Sequence, residues 1–343
     1  MGRGRLPSLS LMLTLGSCGL AFAAPTAHAS DEQTSARAGA VVALATVPGS
    51  GSVVYAGTPG GLYRSADGGQ SWAAVEGDLA GLSVSAVAVD PANPSTLYVG
   101  TNGAGIFRSA SGGDSWRRAN NGLTNLFVEA LAIDPTAPGA LYAGTDGGVF
   151  ASLDGAKSWK AFGEGLTDSF VTALAIDPGS GALYAGTHRG GIFRTGKGGR
   201  WVSAGVGLTR GTVRAFSLSP ASPSTVYAAT ESGLFKTTKA GQEWFSINTG
   251  LPGLSILAVA IDPGDSSRLY ACTGPGLFRS VNSGGGWSAV ETGSAKFFGT
   301  LTIDPATRRM FVGSDGAVLR STDGGKSWTL VELPAPVEAE EDP

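Results

Sequence analysis

The sequence has little charge, little histidine and almost no cysteine. Lys and Arg number 24 against 27 Asp and Glu, with two His and two Cys among 343 residues. The near balance of charge leaves no basic patch, which argues against a nucleic acid or an anionic membrane as the partner. Cys18 lies in a candidate leader, so Cys272 would be the single cysteine of a processed chain. We therefore predict no internal disulfide and interpret Cys272 as a small buried strand residue.

The first 29 residues have the pattern of a secretory signal peptide. Arg3 and Arg5 precede an apolar stretch that runs to Phe22, and small residues follow up to Ala29. We favour cleavage after Ala29 over lipidation at Cys18, because the residues that follow Cys18 stay apolar. An uncleaved membrane anchor is the weakest alternative, so no span is expected after processing. The predicted location is secreted, periplasmic or in the cell envelope.

Glycine is abundant, at 54 residues, while hydrophobic residues make up 42% of the chain. This combination is typical of many short strands joined by tight turns. All seven tryptophans fall on one period of 41 to 44 residues, which indicates a repeat architecture. They are Trp72, Trp116, Trp159, Trp201, Trp244, Trp287 and Trp328.

Each copy is predicted to hold four short strands. An apolar first strand such as residues 130–133 ends at an Asp-Pro turn, and a second strand such as residues 141–145 follows. A glycine-rich loop leads to a third strand, as in residues 105–109, and a compact turn delivers the tryptophan, which is expected to open the fourth strand. Four such strands are typical of a propeller blade. We predict an all-β fold: a single seven-bladed β-propeller with four antiparallel strands per blade.

The predicted propeller occupies residues 41–333, after a short linker at 30–40 and before an acidic, disordered tail at 334–343. The first copy begins with a strand at 41–46 and the last ends with one at 328–332, so both terminal copies own four strands. Blades stacked around an axis cover the faces that one blade leaves exposed. We expect the ring to close by packing, without a shared strand.

The turn before the tryptophan reads Ser-x-Asp-Gly-Gly-x-Ser-Trp at residues 65–72 and 321–328. It resembles the Asp-box, or bacterial neuraminidase repeat, and the resemblance covers the whole repeat domain. We expect the carboxylates of Asp67, Asp154 and Asp323 to accept backbone N–H groups while the indoles pack on the blades. Other copies carry Ser111, Lys197, Lys239 and Asn282 at this position. Because a propeller spreads these turns around its rim, we predict a structural role, with no metal site and no cofactor.

Two further features recur in most blades. Asp-Pro pairs follow the first strands and are interpreted as turn initiators. Basic residues in the third strands are interpreted as solvated strand residues, although sialidases of this repeat family bind a carboxylate with an arginine cluster. These residues are Arg64, Arg108, Arg194, Lys236, Arg279 and Arg320.

A binding site is expected on the face where the copies differ. The loops between second and third strands share a face with the links between blades, opposite the Asp-containing turns. Polar groups beside exposed aromatic rings suit carbohydrate or peptide recognition. The candidate ligand-binding residues are Asn102, Asp146, His188, Arg189, Glu231 and Asp315 from the loops, with Phe127 and Phe170 from the links. The links add Asn125, Asp168, Arg210, Lys296, Phe297 and Phe298.

The repeat is similar to those of sialidases, sortilin-type receptors, photosystem II assembly factors and xyloglucan-cutting glycosidases. The arginine motif of true sialidases is not found here. Residues 145–148, Thr-Asp-Gly-Gly, are similar to the segment that carries a catalytic acid in the xyloglucan-cutting enzymes. Those enzymes take one acid from each of two propellers, so a second carboxylate here would come from Glu231, Asp315 or another subunit.

These observations predict a non-catalytic extracytoplasmic binding or assembly module for a protein or carbohydrate ligand. The alternative is a glycoside hydrolase that uses Asp146 with a second carboxylate. The sequence leaves the identity of the ligand and the oligomeric state open.

Overall fold

A computed structural model describes residues 39–196, 199–293 and 298–335. Within these ranges the chain forms seven four-stranded sheets and no helix. Each sheet consists of four strands consecutive in sequence, paired antiparallel in the order first, second, third, fourth. The predicted seven-bladed β-propeller is therefore confirmed. The predicted signal peptide lies outside the described residues.

Four consecutive strands make each blade, from the innermost to the outermost. The strands are β1 (Ala43–Thr46), β2 (Val54–Thr58), β3 (Gly61–Ser65), β4 (Ala73–Ala74), β5 (Val84–Val89), β6 (Leu97–Thr101), β7 (Gly105–Ser109), β8 (Arg117–Arg118), β9 (Val128–Ile133), β10 (Leu141–Thr145), β11 (Gly148–Ser152), β12 (Lys160–Ala161), β13 (Val171–Ile176), β14 (Leu183–Thr187), β15 (Ile192–Thr195), β16 (Trp201–Ser203), β17 (Val213–Leu218), β18 (Val226–Thr230), β19 (Gly233–Thr237), β20 (Phe245–Ser246), β21 (Ile256–Asp262), β22 (Asp265–Thr273), β23 (Gly276–Ser280), β24 (Ser288–Ala289), β25 (Thr300–Ile303), β26 (Met310–Gly313), β27 (Ala317–Ser321) and β28 (Thr329–Glu332).

The tryptophan opens the fourth strand only in blade four, at Trp201, and in the other blades it precedes that strand by one residue. The expectation that it opens every fourth strand was therefore wrong. The backbone N–H of Trp159 donates to the carbonyl of Asn121, in the link from the preceding blade, at 2.8 Å. Trp201, which does open its strand, makes the equivalent bond to Glu164 at 2.9 Å, so this bond does not decide where the fourth strand begins.

The innermost strands form the core, and β5 and β13 are buried along their whole length. A glycine in the second strand lets the next blade approach closely. A Cβ at Gly144 would lie 2.8 Å from Cγ1 of Val171, and one at Gly186 would lie 2.4 Å from Cγ1 of Val213. Cys272 takes this position in blade six and is fully buried, as predicted, and burial raises the pKa of its thiol.

Tryptophan links each blade from three to six to the blade before it. The indole N–H of Trp244 donates to the carbonyl of Ala204 at 2.7 Å. A glycine, Gly207, packs against the backbone of the same tryptophan. Gly207 has a φ of 91°, and a Cβ there would lie 2.3 Å from the carbonyl oxygen of Trp244. Equivalent indole bonds are made by Trp159, Trp201 and Trp287.

Other groups make the links next to the closure of the ring. The hydroxyl of Tyr55 donates to the carbonyl of Gly112 in blade two, and that of Tyr270 donates to Gly324 in blade seven. The indole N–H groups of Trp72 and Trp328 are buried and meet no acceptor among the described residues. Two kinds of polar link therefore hold different sectors of the ring together.

Blades one and seven close the ring without sharing a strand, since each has four strands of its own. The backbone N–H of Val41 donates to Ser314, and that of Gly316 donates to Gly39, both at 3.0 Å. From the other terminus, the N–H of Leu333 donates to Gly316 at 2.9 Å. Both ends of the repeat domain are thus fastened to one loop of blade seven.

The basic residues of the third strands are half-buried, so their interpretation as solvated was wrong. Each stands opposite an aromatic residue of the second strand, as in the pairs Tyr98–Arg108 and Tyr184–Arg194. The guanidinium carbon of Arg194 lies 5.6 Å from the ring centroid of Tyr184. Stacking on a ring explains why these residues recur in the repeat.

Candidate ligand-binding face

The connections divide between two faces of the ring. The turn face carries the links from first to second strands and the outer turns, which join third to fourth strands. The loop face carries the links from second to third strands and the links between blades. Antiparallel order places these sets on opposite faces, and contacts such as the bridge between Asn102 and Phe127 join loops to links.

On the turn face, the carboxylates of three outer turns are fully engaged. Asp323 accepts the backbone N–H groups of Lys326 and Ser327 at 3.0 Å and the hydroxyls of Ser321 and Ser327. Hydrogen bonds, led by that from the Ser327 hydroxyl, hold the pKa of Asp323 well below its usual range. Asp67 and Asp154 make equivalent contacts, and the pKa of Asp154 falls to about 2, chiefly through Ser158.

A hydroxyl in the last position of the third strand recurs more widely than the carboxylate. Ser109 Oγ accepts the N–H of Gly113 at 2.9 Å, although its turn has Ser111 in place of Asp. Thr237 Oγ1 accepts the N–H of Gly241 at 3.2 Å in the turn that contains Lys239. This bond was not predicted, although a Ser or Thr occupies the position in every copy of the sequence.

On the loop face, Asp168 fixes the loop of blade four. Its Oδ2 accepts the backbone N–H groups of Arg189 and Gly190 at 2.8 and 2.7 Å, and Oδ1 accepts that of Phe170 at 3.1 Å. Burial alone would raise the pKa of Asp168, but these backbone hydrogen bonds outweigh it and lower the pKa. The Asp168 carboxylate therefore positions the predicted residues Phe170 and Arg189.

A chain of contacts runs from His188 to Arg214 across blades four and five. The His188 ring packs on Phe170, with centroids 5.1 Å apart, and its Nδ1 lies 3.0 Å from Oγ1 of Thr212. Glu231 accepts the backbone N–H of Thr212 at 3.2 Å and a guanidinium N–H of Arg214 at 2.8 Å. Phe170, His188, Thr212, Arg214 and Glu231 thus form one group, which we call the blade 4–5 cluster.

Arg214 belongs to a second set of positions, which analysis of the sequence did not identify. In blades two to six, one residue near the start of the first strand is skipped by the ladder as a β-bulge. A bulge re-aims the side chain of the extra residue. The five bulge residues are Ser85, Glu129, Thr172, Arg214 and Leu257. The residue type at this position differs from blade to blade, and this difference could have been found by aligning the copies in the sequence.

Glu129 is the unusual member of this set, because its carboxyl is buried in the first strand of blade three and is 3% exposed. Val128 pairs with Thr145, so Glu129 lies beside the end of β10, where Asp146 follows. Burial, with a smaller contribution from the Asp146 carboxylate, raises the pKa of Glu129 to about 8. Glu129 is therefore an acid that interacts electrostatically with Asp146, and the sequence did not indicate it.

The other predicted residues occupy separate parts of the loop face. Phe127 is 49% exposed and lies next to Asn102 and Asp146, whose N–H donates to the Phe127 carbonyl at 3.3 Å. Asp315 lies in blade seven, bridged to Ala40, so it belongs neither to the Asp146 pair nor to the blade 4–5 cluster.

The expectation of an exposed aromatic at Phe298 was wrong. Phe298 is 1% exposed and packs in the core between blades six and seven, at the position where blades two to six have valine or isoleucine. Lys197, Lys296 and Phe297 lie outside the described residues.

The described ranges contain neither a cluster of metal ligands nor a membrane-spanning helix. No three His, Cys, Asp or Glu side chains in residues 39–196, 199–293 and 298–335 converge as a metal site would require. The same ranges contain no helix with the length and apolarity needed to cross a bilayer.

Solved structures with the same fold include GH74 enzymes, a protein bound to a peptide and the extracellular domain of a putative one-component system. The GH74 xyloglucanase from Xanthomonas campestris superposes with a TM-score of 0.71 at 20% identity, over 87% of this chain and 55% of that one. YCF48 bound to D1 peptide superposes with a TM-score of 0.65 at 16% identity, over 88% and 96% of the two chains. The extracellular domain of BT4673 from B. thetaiotaomicron gives 0.66 at 16% identity, over 89% and 40%.

These similarities establish the propeller fold and no more, because the identities are low. The chain spans about half the length of the GH74 enzymes that it matches. No protein-family model matches the sequence, and no curated protein matches it.

Proposed function

We propose that this chain is a non-catalytic binding or assembly module that works outside the cytoplasm. Its ligand, a protein or a glycan, would bind the loop face over blades two to five. The single observation that carries the proposal is the blade 4–5 cluster, whose polar side chains are fixed by one another before any ligand arrives. Preorganised groups of this kind favour binding, since little side-chain freedom is lost when the ligand docks.

Binding is favoured over hydrolysis by how the acids of this face are used. The carboxylate of Glu231 is paired with Arg214 at 2.8 Å, and Asp168 accepts three backbone N–H groups. A carboxylate held this way orients a loop and is poorly placed to transfer a proton to a glycosidic oxygen. The remaining groups include the exposed Arg189 and the rings of Phe170 and Phe127, which suit contact with a peptide or a sugar.

We also assign the outer turns to the Asp-box type. The support is the set of hydrogen bonds around Asp67, Asp154 and Asp323, together with the serine that closes each turn. On this assignment Asp67, Asp154, Asp323 and the seven tryptophans hold the scaffold and do not contact ligand. The secreted location rests on the leader-like first 29 residues.

The binding proposal is tested by changing His188, Arg189 and Glu231 together to alanine. The wild-type and variant proteins are immobilised, exposed to envelope extract or culture medium, and compared for the partner retained. A matched control changes Lys157, Lys326 and Asp114, which are exposed on the turn face. We expect the loop-face variant to lose the partner and the control to keep it; a partner retained by both would overturn the proposed face.

A glycoside hydrolase is the second candidate function, and the proximity of Glu129 to Asp146 favours it. Glycoside hydrolases pair two carboxyls, and one of them commonly has a raised pKa, as Glu129 has here. The test is release of reducing sugar from xyloglucan and other soluble glucans by the purified protein. Release that Asp146→Asn abolishes would replace the binding proposal, whereas no release from the panel would leave binding as the function.

A further inference from the structure

Three basic residues are brought together where blade two faces the outer turn of blade three. Arg108 pairs across the sheet with Tyr98 on one side and with Arg117 on the other, so these side chains share one face of blade two. That face meets blade three, because a Cβ at Gly155 would lie 3.6 Å from the hydroxyl oxygen of Tyr98. Lys157 follows in the same turn as Gly155 and is exposed. We call Arg108, Arg117 and Lys157 the blade 2–3 seam.

The equivalent contact between blades one and two contains an ion pair. Arg64, which corresponds to Arg108, places its Nη1 3.5 Å from Oδ1 of Asp114 in the outer turn of blade two. Asp114 and Lys157 occupy the same position of their turns, before the serine that precedes the tryptophan. The seam therefore has a cation at the position where the contact between blades one and two has a carboxylate.

The acids nearest to the seam in sequence are engaged elsewhere. Asp154, in the same turn as Lys157, accepts two backbone N–H groups and the hydroxyl of Ser158 within its own turn. Asp114, in the turn that leads to Arg117, pairs with blade one. Among the described residues, none makes an ion pair or a side-chain hydrogen bond with any of the three cations. The positive charge of the seam is therefore not neutralised within this part of the chain.

The requirements of the repeat do not explain Arg117. Stacking on Tyr98 accounts for Arg108, whose guanidinium carbon lies 6.0 Å from the ring centroid. Of the seven described blades, blade two alone places one cation directly opposite another, and like charges in that arrangement destabilise a sheet. The other blades carry at this position Ala73, Lys160, Val202, Phe245, Ser288 and Thr329. A bound anion would relieve the repulsion in blade two.

The three cations suit an anion with three free oxygens. Arg108 is half-buried and stacked on a ring, so its planar fork is oriented before a ligand arrives. Arg117 and Lys157 are exposed and accessible to the same ligand. A sulfate or phosphate ester offers one terminal oxygen to each cation, whereas a carboxylate has only two oxygens.

We propose that the blade 2–3 seam binds a sulfate or phosphate ester group on a glycan. The basic strip is narrow, since Asp114 neutralises the adjoining contact between blades one and two, and a narrow strip fits a charged chain better than the surface of a bilayer. This site is separate from the loop face, and the proposal does not depend on the function of that face. The near balance of charge over the whole chain conceals this local basic site.

The experiment compares three dextrans of equal length, one sulfated, one phosphorylated and one unmodified, by isothermal titration calorimetry at neutral pH. We expect the charged dextrans to bind with an affinity that falls as the salt concentration rises, and the unmodified dextran not to bind. The charged dextran that binds more tightly identifies the ester. Thermal unfolding is the second readout, because a ligand of the native state raises the melting temperature.

Arg117→Ser and Arg118→Ser form a matched pair of variants. Each removes one charge from the same strand, but Arg118 lies opposite Phe107, on the other face of the sheet. Serine is the residue that blade six has at the position of Arg117, namely Ser288. Loss of one charge-assisted hydrogen bond should weaken binding at least about tenfold in Arg117→Ser. Arg118→Ser should leave binding nearly unchanged.

Lys157→Asp gives the outer turn of blade three the acid that Asp114 provides in blade two. We expect the new carboxylate to pair with Arg108, as Asp114 pairs with Arg64, and to abolish binding of the charged dextrans. The variant should keep the melting temperature of the unliganded wild type, which would separate lost binding from lost folding.

Each other outcome overturns the proposal. Equal weakening in Arg118→Ser would show a general attraction between charges, and undiminished binding in Lys157→Asp would place the anion elsewhere. Binding to phosphatidylglycerol vesicles without binding to either charged dextran would make the seam a membrane contact. No binding of any probe would make the three cations ordinary solvated residues.

The capture experiment on the loop face is separable from this one. The variant of His188, Arg189 and Glu231 leaves the seam intact, so it should bind the charged dextrans as the wild type does. A partner that this variant loses would belong to the loop face. A partner lost only from the control, which changes Lys157, would belong to the seam.

Discussion

The turn face and the loop face are made by the same seven repeats, yet they treat polar groups in opposite ways. On the turn face, Asp67, Asp154 and Asp323 accept hydrogen bonds from their own turns, so their charge is used locally. On the loop face, Glu129 is buried and accepts no hydrogen bond from the residues that the structure describes, and the blade 4–5 cluster draws residues from two blades. The difference teaches that the antiparallel order of the strands separates the two roles: it places the turns that stabilise the scaffold on one face and the candidate site on the other.

This separation has a physical reason. An outer turn is short and satisfies its own N–H groups, so its form can repeat whatever lies across the ring. The loops and links of the other face meet their neighbours from adjacent blades, and their contacts depend on which residues each copy brings. A change on one face should therefore affect stability, and a change on the other should affect binding.

The largest effect is expected from Trp244→Ala, at the end of the outer turn of blade five. Trp244 is 2% exposed and its indole joins blade five to blade four. Truncation of a buried tryptophan should lower the free energy of unfolding by about 3–5 kcal/mol. Urea denaturation followed by circular dichroism measures this loss, and ligand binding by the folded fraction should be unchanged.

A matched pair of conservative variants sharpens that result. Trp244→Phe removes a hydrogen bond to Ala204, whereas Trp72→Phe removes an indole N–H that meets no described acceptor. The first should cost about 1 kcal/mol more than the second. Equal costs would show that the indole bond between blades contributes nothing.

An intermediate effect is expected at Glu129, and its sign is opposite to that of the turn acids. The folded-state pKa is about 8 against an ordinary 4.5, so the native state holds a proton that the unfolded state has lost between these values. Stability should be full below pH 4.5 and should fall as the pH rises to 8, by roughly 2–5 kcal/mol in all. Glu129→Gln should remove this decline, as measured by unfolding between pH 5 and pH 9. A decline that persists in the variant would assign it to another group.

The smallest effect is expected from Asp323→Ala on the turn face. The folded-state pKa of Asp323 is lowered, so its contribution to stability is present above the ordinary carboxyl range and is lost as the pH falls. At pH 7 the loss of its hydrogen bonds should cost about 1 kcal/mol in thermal unfolding. Lys239→Ala is the control, because the Lys239 side chain makes only a surface ion pair with Glu243. A cost as large for Lys239→Ala would show that the carboxylate adds nothing to its turn.

The fold could be predicted from the sequence because the signals that specify it are local and repeated. Seven tryptophans on one period, and four apolar segments between them, leave few alternatives to a propeller. The position of Cys272 could be predicted for the same reason, since other copies carry glycine there. The links between blades could not, because the backbone N–H of Trp159 donates to Asn121, which is distant in sequence and follows the preceding blade.

The candidate site was only partly visible in the sequence. Comparison of the copies identified His188, Arg189 and Glu231, which the structure places in or beside one cluster. It did not identify Glu129, because the sequence does not show the β-bulge there. Without the bulge, Glu129 is taken for an ordinary position in the alternation of inward and outward side chains along the strand. It also took Phe298 for a surface ring, although that side chain replaces a core valine.

The sequence by itself determined the number of blades, the four strands of each and the outer turns, because each of these depends on residues within one repeat. Only the tertiary structure decided which acid accompanies Asp146, which residues hold His188 and Glu231, and which tryptophans link blades. These depend on contacts between copies. The pattern of residues within one repeat of 41 to 44 residues does not show which residues of the adjacent repeat it will contact. The ring had to be closed before the residues of adjacent blades could meet.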